Sequence, residues 1–211
     1  MNIDWLHRLL KGLFKDHTSE WILSFLQDSQ GQEKGFNLID KGISIISWFS
    51  NIRQFRTTLS PVKQWTGAKY KDMVKVWFSA LAPLLKGHPH YFKFIKSVTI
   101  FILIASYHSH TKITLKYLQD AHCAIGSNIH LFLPYRKSHS MRKIHKIQSL
   151  LHYIDCIREI GSADTSNTEI SEAAHKNLVK NGSSSSIKVN YILQLLQWKT
   201  HLFHMQSRLS I

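Results

Sequence analysis

Acidic residues are scarce in this chain of 211 residues, which has 13 Asp and Glu against 27 Lys and Arg and a formal net charge of +14. Such an excess of cations attracts polyanions, so the balance predicts nucleic acid or an anionic membrane surface as the partner. A basic surface that binds neither is the alternative.

Cysteines and long apolar runs are also few. Cys123 and Cys156 have no Cys or His neighbour at metal-ligand spacing, which argues against a disulfide scaffold or zinc module and favours a reducing compartment. The most apolar run, Val98 to Tyr107, has ten residues, whereas a membrane-spanning helix takes about 20. We therefore expect no transmembrane segment and no membrane partner. The first residues lack the pattern of a signal peptide.

Helical spacing of apolar residues dominates the rest, and strand signals are scarce, so the pattern predicts a mainly α fold. Phe36 to Phe55 gives a mixed signal and could be helix or strand. The expected helices cover 5–14, 20–27 after the possible caps Thr18 and Ser19, 69–85, 92–107, 112–124 after the cap Thr111, 143–160 before Gly161, and 189–205.

Two of these helices carry specific expectations about their buried faces. In the helix after Thr111, the inward residues are expected to be Ile113, Leu115, Tyr117 and Leu118. In the helix before Gly161, the expected stripe is Ile144, Ile147, Leu151, Ile154 and Ile157. The Ser-rich stretch that begins at Asn181 suits a flexible linker. The predicted organisation is a helical region at 1–180, a linker at 181–188 and a C-terminal helix at 189–211.

Two groups of residues combine carboxylates with histidine at helical spacing. Asp4 and His7 would share one side of a helix, which suits a metal site, although an Asp in a first turn also complements the helix dipole. Glu169, Glu172 and His175 repeat at intervals of three. Ser166 and Glu169 match a capping box, which explains Glu169 without chemistry.

Other patterns are weaker or remain open. His88 with His90, and His108 with His110, could chelate a metal if extended, but neither pair has a third ligand at a recognisable spacing. Basic residues alternate with aromatic residues at 53–56, 63–65 and 69–71, and the stretch 134–146 is basic. This could be a surface that follows a nucleic-acid backbone, or a basic rim around an aromatic core. The candidate nucleic-acid contacts are Arg53, Arg56, Lys63, Lys69, Lys71, Arg136 and Lys137.

Four motifs in a fixed order resemble the Plavaka transposases, a group of fungal cut-and-paste DNA transposases related to the CACTA-type superfamily. They are DWLHRLLKGLFKDH near the start, VKQWTGAKYKDMVKVW at 62–77, YHSHTKITL at 107–115, and the long run from Ile147 to His175. The resemblance extends from Ile3 to about Trp198. It implies an RNase H-like fold interrupted by a helical insertion, and a nuclear location.

The resemblance also implies a triad of carboxylates that holds two divalent metals, Mg²⁺ or Mn²⁺, for attack on phosphodiesters. Asp4 matches the second catalytic aspartate, and Glu172 matches the glutamate, with Glu169 as the alternative; Asp4 and Glu172 would be metal ligands. His7 and His175 match supporting histidines. The first aspartate should precede Asp4, and Gln148 replaces a family histidine, so we expect a chain with the core sheet largely missing and no catalysis by itself.

The expected function is therefore that of a truncated, inactive transposase remnant that still binds DNA or a transposase-like partner through a basic helical surface. Two alternatives belong to other classes. The first is a metal-dependent nuclease or strand-transferase completed by a partner chain. The second is a helical interaction protein without a role at DNA.

Overall fold

The computed structural model describes residues 5–47, 55, 66–135, 147, 149–162, 168, 175–184 and 190–209. All regular structure within these residues is helical, which confirms the prediction of a mainly α chain. Two compact units are distinguished, Met1–Asn167 and Thr168–Ile211. Each is described by itself below.

Unit 1 begins with a long helix that changes its pitch. A π-helical segment, here π1, covers Trp5–Ser19, and α1 continues directly from it over Glu20–Gln30. The expected cap at Thr18 or Ser19 is wrong: Ser19 has helical dihedral angles and makes no capping hydrogen bond. The Thr18 hydroxyl instead donates to the Leu13 carbonyl, 2.9 Å away and five residues back.

Buried residues along π1 and α1 come in adjacent pairs that recur every four residues. The expected inward positions at Leu6, Leu9, Leu10, Leu13 and Phe14 are all buried. The full set of pairs consists of Leu9 and Leu10, Leu13 and Phe14, His17 and Thr18, Trp21 and Ile22, and Phe25 and Leu26.

The next helix, α2, covers Gln32–Ile45, which resolves the mixed signal after Phe36 in favour of a helix as far as the structure describes it. Gly31 makes the reversal between α1 and α2 with a φ of 94°, a value that favours glycine. Helix α3 covers Gly67–Leu81. It approaches α2 closely, since a Cβ placed on Gly42 would lie 2.6 Å from the Ala80 carbonyl oxygen.

A turn with Gly87 at φ 95° leads to α4, Pro89–Ala105, which has Pro89 in its first turn. Helix α5, Lys112–Asn128, begins with a capping box in which Thr111 and Thr114 exchange side-chain and backbone hydrogen bonds. This confirms Thr111 as the cap. A 3₁₀ segment, Ile129–Tyr135, follows, and α6 covers Leu150–Ile160 and ends at Gly161 with φ 89°.

The structure corrects two of the predicted faces. Ile113 and Tyr117 are 64% and 54% exposed, and the buried stripe of α5 is formed by Leu118, Ala121, Ile125 and Asn128. On α6, Leu151 is exposed, whereas Leu150 and Tyr153 are buried together with Ile154 and Ile157. In both helices the buried residues recur at helical spacing, beginning with the first residue that packs against the core.

One hydrophobic core joins every helix of unit 1. Helices α1 to α5 contact one another in chain order, α6 packs on α5, and π1 contacts α3 and α4. An aromatic cluster links α1, α4 and the 3₁₀ segment: Trp21 stacks on Phe132 at 5.6 Å, and Phe25 stacks on Tyr91 at 4.0 Å. The Tyr91 hydroxyl donates to the Leu131 carbonyl at 3.4 Å.

Unit 2 contains a π-helical turn, Lys176–Lys180, then α7, Asn181–Ser184, and α8, Tyr191–Leu209. Asn181–Ser184 is therefore helical where the sequence suggested the start of a flexible linker. The remainder of that predicted linker, 185–188, lies outside the described residues. Large apolar side chains of α8 are exposed, among them Ile192, Leu196 and Phe203. None of the described helices has the length and apolar character needed to cross a membrane.

Candidate nucleic-acid interface

The carboxylates of the expected catalytic triad lie outside the described residues. This applies to Asp4, Glu169 and Glu172, and also to the predicted capping residue Ser166. Their supporting histidines are described: His7 is exposed on π1 in unit 1, and His175 is exposed in unit 2.

In the part of the chain that the structure describes, no group of three His, Cys, Asp or Glu is placed to hold an ion. His88 precedes α4 and packs edge-on against the Phe25 ring at 5.0 Å. His110 stacks on Tyr107, and its Nδ1 lies 3.4 Å from the Thr114 hydroxyl. His88 and His110 therefore both contact neighbouring side chains of unit 1.

Burial controls the charge of two histidines on or beside α5. Burial lowers the pKa of His110, and a hydrogen bond with the backbone of Tyr107 opposes the shift. Burial also lowers the pKa of His122, and a hydrogen bond with the Ile147 backbone opposes it. Burial favours the neutral imidazole in each case, so neither ring contributes a full positive charge near neutral pH.

Five of the seven predicted nucleic-acid contacts lie outside the described residues, namely Arg53, Arg56, Lys63, Arg136 and Lys137. The two described residues, Lys69 and Lys71, are both half-buried on α3. Tyr70 between them is buried in the core, and burial together with the nearby Asp16 raises the pKa of its hydroxyl. Phe55 is also packed against the core. Where they are described, the aromatic residues of the alternating pattern form core rather than a stacking platform for bases.

A row of basic residues on α4 was not predicted. His90, Lys93 and Lys96 are exposed and recur every three residues, which places them along one side of the helix. Helix α4 contains no Asp or Glu, and no ion pair joins Lys93 or Lys96 to any described residue. The run HYFKFIK alternates basic and aromatic residues, and this signal could have revealed the row. The apolar run that follows instead indicated a wholly buried helix.

Exposed charge on the described part of unit 1 is strongly biased toward cations. There are nine exposed Lys and Arg residues and four exposed acidic residues. Two of those acidic residues, Asp155 and Glu159, are on α6. Arg158 and Asp155 form an exposed ion pair at 3.2 Å. The exposed cations are Lys11, Lys41, Lys75, Lys86, Lys93, Lys96, Lys112, Lys116 and Arg158.

A cavity of about 230 Å³ lies where α3, the C-terminal end of α4 and π1 meet. The predicted contact Lys71 lines it together with Lys75 and His108. Lys75 also pairs with Asp72 at 3.4 Å on the surface of α3.

No family model, curated protein or solved structure matches the chain.

Proposed function

We propose that the chain binds the phosphate backbone of duplex DNA through unit 1, as a protein derived from the helical part of a Plavaka-type transposase. The motif resemblance supports the derivation, and a nuclear location belongs to the same proposal. The observation that carries DNA binding is the basic row on α4, made of His90, Lys93 and Lys96.

The dimensions of this row suit a polyanion. From His90 to Lys96 the helix advances by about 9 Å, at about 1.5 Å per residue. Duplex DNA carries about one negative charge per 1.7 Å of its axis, so the row spans the length of several phosphates. Because α4 has no acidic residue, no carboxylate on the same helix competes with DNA for these cations.

The contacts in this proposal are to phosphates and not to bases. Lysine acts as a point charge toward phosphate and carries no sequence information in such a contact. The described aromatic residues between the basic positions are core residues, as noted for Tyr70 and Phe55. Binding should therefore depend strongly on salt and weakly on DNA sequence.

Fluorescence anisotropy with a labelled duplex over a series of salt concentrations tests the proposal. The slope of log K against log salt is about −0.9 per neutralised phosphate, so the double variant Lys93→Ala, Lys96→Ala should reduce its magnitude by nearly 2. An unrelated duplex should compete equally well. Affinity that does not change with salt would remove the proposal.

A matched control separates the α4 row from net charge alone. The variant Lys41→Ala, Arg158→Ala also removes two exposed cations, from α2 and α6. It should change the slope much less, because these residues lie on other helices. If both double variants lose the same affinity and slope, DNA responds only to overall charge and the assignment of the row is wrong.

The proposal includes binding without strand transfer by this chain alone. The matched motifs supply the carboxylates Asp4 and Glu172, and two metal ions require a complete set of ligands. A nicking assay with Mg²⁺ or Mn²⁺ tests this part. Cleavage that is abolished by Glu172→Gln and retained in Glu169→Gln would establish the nuclease alternative instead.

A further inference from the structure

Helix α8 of unit 2 carries a row of exposed apolar side chains, which we call the α8 row. Its members Ile192, Leu196 and Phe203 are 70%, 55% and 69% exposed, and Leu193 is exposed beside them. Spacings of four and seven residues place the row on one side of the helix, over about 16.5 Å at about 1.5 Å per residue. Phe203 also meets the His204 ring edge-on at 6.3 Å. Contiguous exposed apolar surface of this kind marks interaction sites.

The spacing of the α8 row matches the seam of a coiled coil. Ile192, Leu196, Lys199 and Phe203 follow one another at intervals of four, three and four residues. This is the alternation of d and a positions in a heptad, where each seam residue packs into a hole formed by four residues of a facing helix. The row is therefore shaped to pack against another helix.

Lys199 determines the charge that such a partner must carry. Its side chain is half-buried within the row, and no ion pair joins it to any described residue. A helix packed on the row would take the ammonium group out of water, which is costly unless a carboxylate pairs with it. The facing surface should therefore be apolar, with an acidic residue beside Lys199.

A second copy of α8 does not supply that carboxylate. Tyr191–Leu209 contains no Asp or Glu, and its Lys and Arg residues are Lys199 and Arg208. Pairing two copies of this helix would bring like charges together, in chains that each carry a net charge of +14. Charge complementarity therefore favours an acidic partner of different sequence.

Two other anionic surfaces fit the row less well. The phosphate backbone of DNA offers no hydrocarbon to cover Ile192 and Leu196. A helix that lies on a lipid surface has its cations on the polar side and its apolar side in the membrane. On α8 the cation Lys199 lies within the apolar row, and the exposed residue opposite Leu196 is Met205.

We propose that α8 binds an acidic amphipathic helix of another protein. The apolar side of that helix covers Ile192, Leu196 and Phe203, and one of its carboxylates pairs with Lys199. This surface is in unit 2, whereas the DNA-binding row is in unit 1. Its test uses no DNA, so either proposal can fail without the other.

The probe is a labelled synthetic peptide of three heptads, with leucine at a and d and glutamate at e and g. The glutamates of two such peptides repel each other, so the peptide does not pair with itself. One control peptide has serine in place of every leucine, and the other has lysine in place of every glutamate. Fluorescence anisotropy should show that the whole chain binds the acidic leucine peptide more tightly than either control.

Variants of α8 test the row and its charge separately. Leu196→Gln should weaken the acidic peptide by about tenfold, because it removes a leucine that binding would bury. Met205→Gln removes an exposed apolar side chain from the opposite side of α8 and should leave the affinity unchanged. Lys199→Glu should weaken the acidic peptide by about two- to fivefold and strengthen the lysine peptide by a similar factor. These residue types have similar helix propensities, and circular dichroism checks that each variant keeps its helix content.

Contrary results are equally defined. Equal losses in Leu196→Gln and Met205→Gln, or equal binding of the leucine and serine peptides, would show attraction by overall charge and overturn the proposal. A dimer of the chain in analytical ultracentrifugation that Leu196→Gln dissociates would assign the row to a second copy. Binding to phosphatidylserine vesicles that Leu196→Gln abolishes, without binding of the peptide, would assign it to a membrane surface.

Discussion

The close contact between α2 and α3 gives a sharp prediction for Gly42. A Cβ at this position would lie 2.6 Å from the Ala80 carbonyl oxygen and 3.4 Å from its Cα. An ordinary contact with that oxygen begins near 3.4 Å, so the helices would have to separate by several tenths of an ångström. The obstacle is backbone, which cannot rotate away as a flexible side chain can.

The magnitude follows from two opposing effects. Overpacking of a well-packed contact costs about 1–3 kcal/mol, and replacing a helical glycine by alanine gains about 1 kcal/mol. Gly42→Ala should therefore leave the free energy of unfolding unchanged or lower it by up to about 2 kcal/mol. On α5, no described atom outside the helix's own backbone lies within 4 Å of a Cβ placed on Gly126, so Gly126→Ala should keep the full gain.

Thermal unfolding followed by circular dichroism compares the two variants. A change of 1 kcal/mol shifts Tm by about 2–4 °C in a protein of this size. Gly126→Ala should raise Tm by that amount, and Gly42→Ala should leave it unchanged or lower it. If Gly42→Ala raises Tm as much as Gly126→Ala does, α2 and α3 do not approach as described.

Two further predictions concern caps and histidines. Thr111→Ala removes the capping box of α5 and should cost about 1 kcal/mol in chemical denaturation, whereas Ser19→Ala should have little effect because Ser19 makes no capping bond; equal losses would contradict the assigned caps. Burial lowers the pKa of His110 and His122 below the ordinary value of 6.5. The unfolded chain therefore binds more protons just below pH 6.5, and stability should fall as pH drops through that value. His122→Gln should make this fall smaller, and an unchanged pH profile would show that His122 is not responsible.

The helices themselves could be predicted from apolar spacing and caps, but the face that each one buries could not always be. Thr111 caps the start of α5 through its side chain, and Gly161 ends α6 through its positive φ. Both predictions are confirmed. Ile113 and Leu151 were placed inward because they fit the local period. Helices α5 and α6 carry apolar residues on both sides. Which side is buried therefore depends on the element that packs against the helix, and the local sequence does not show that.

The change of pitch between π1 and α1 has a physical reason in the sequence. An α-helix has 3.6 residues per turn, so pairs that recur every four residues rotate steadily around it. A π-helix, with i→i+5 hydrogen bonds, is wider and rotates the same pairs in the opposite sense. Joining the two forms keeps the pairs from Leu9 to Leu26 on one side, facing the core. Long π-helices are rare, so apolar spacing alone predicts an α-helix here.

The candidate site was predictable only in part. Lys71 was predicted from the basic and aromatic alternation, and it lines the cavity. Lys93 and Lys96 were missed because the sequence does not show that these lysines lie together on the exposed side of an otherwise apolar helix. The cavity itself depends on contacts among π1, α3 and α4, which are distant in sequence.

The order in which the helices pack has a consequence for folding kinetics. From α1 to α5 each helix contacts the next one along the chain, so most contacts close short loops and relative contact order is low. Chains of this kind reach their transition state quickly. The contacts between α1 and the 3₁₀ segment, such as Trp21 on Phe132, close longer loops than the packing of π1 against α3 and α4 does. They should therefore form late, after the hairpin of α4 and α5.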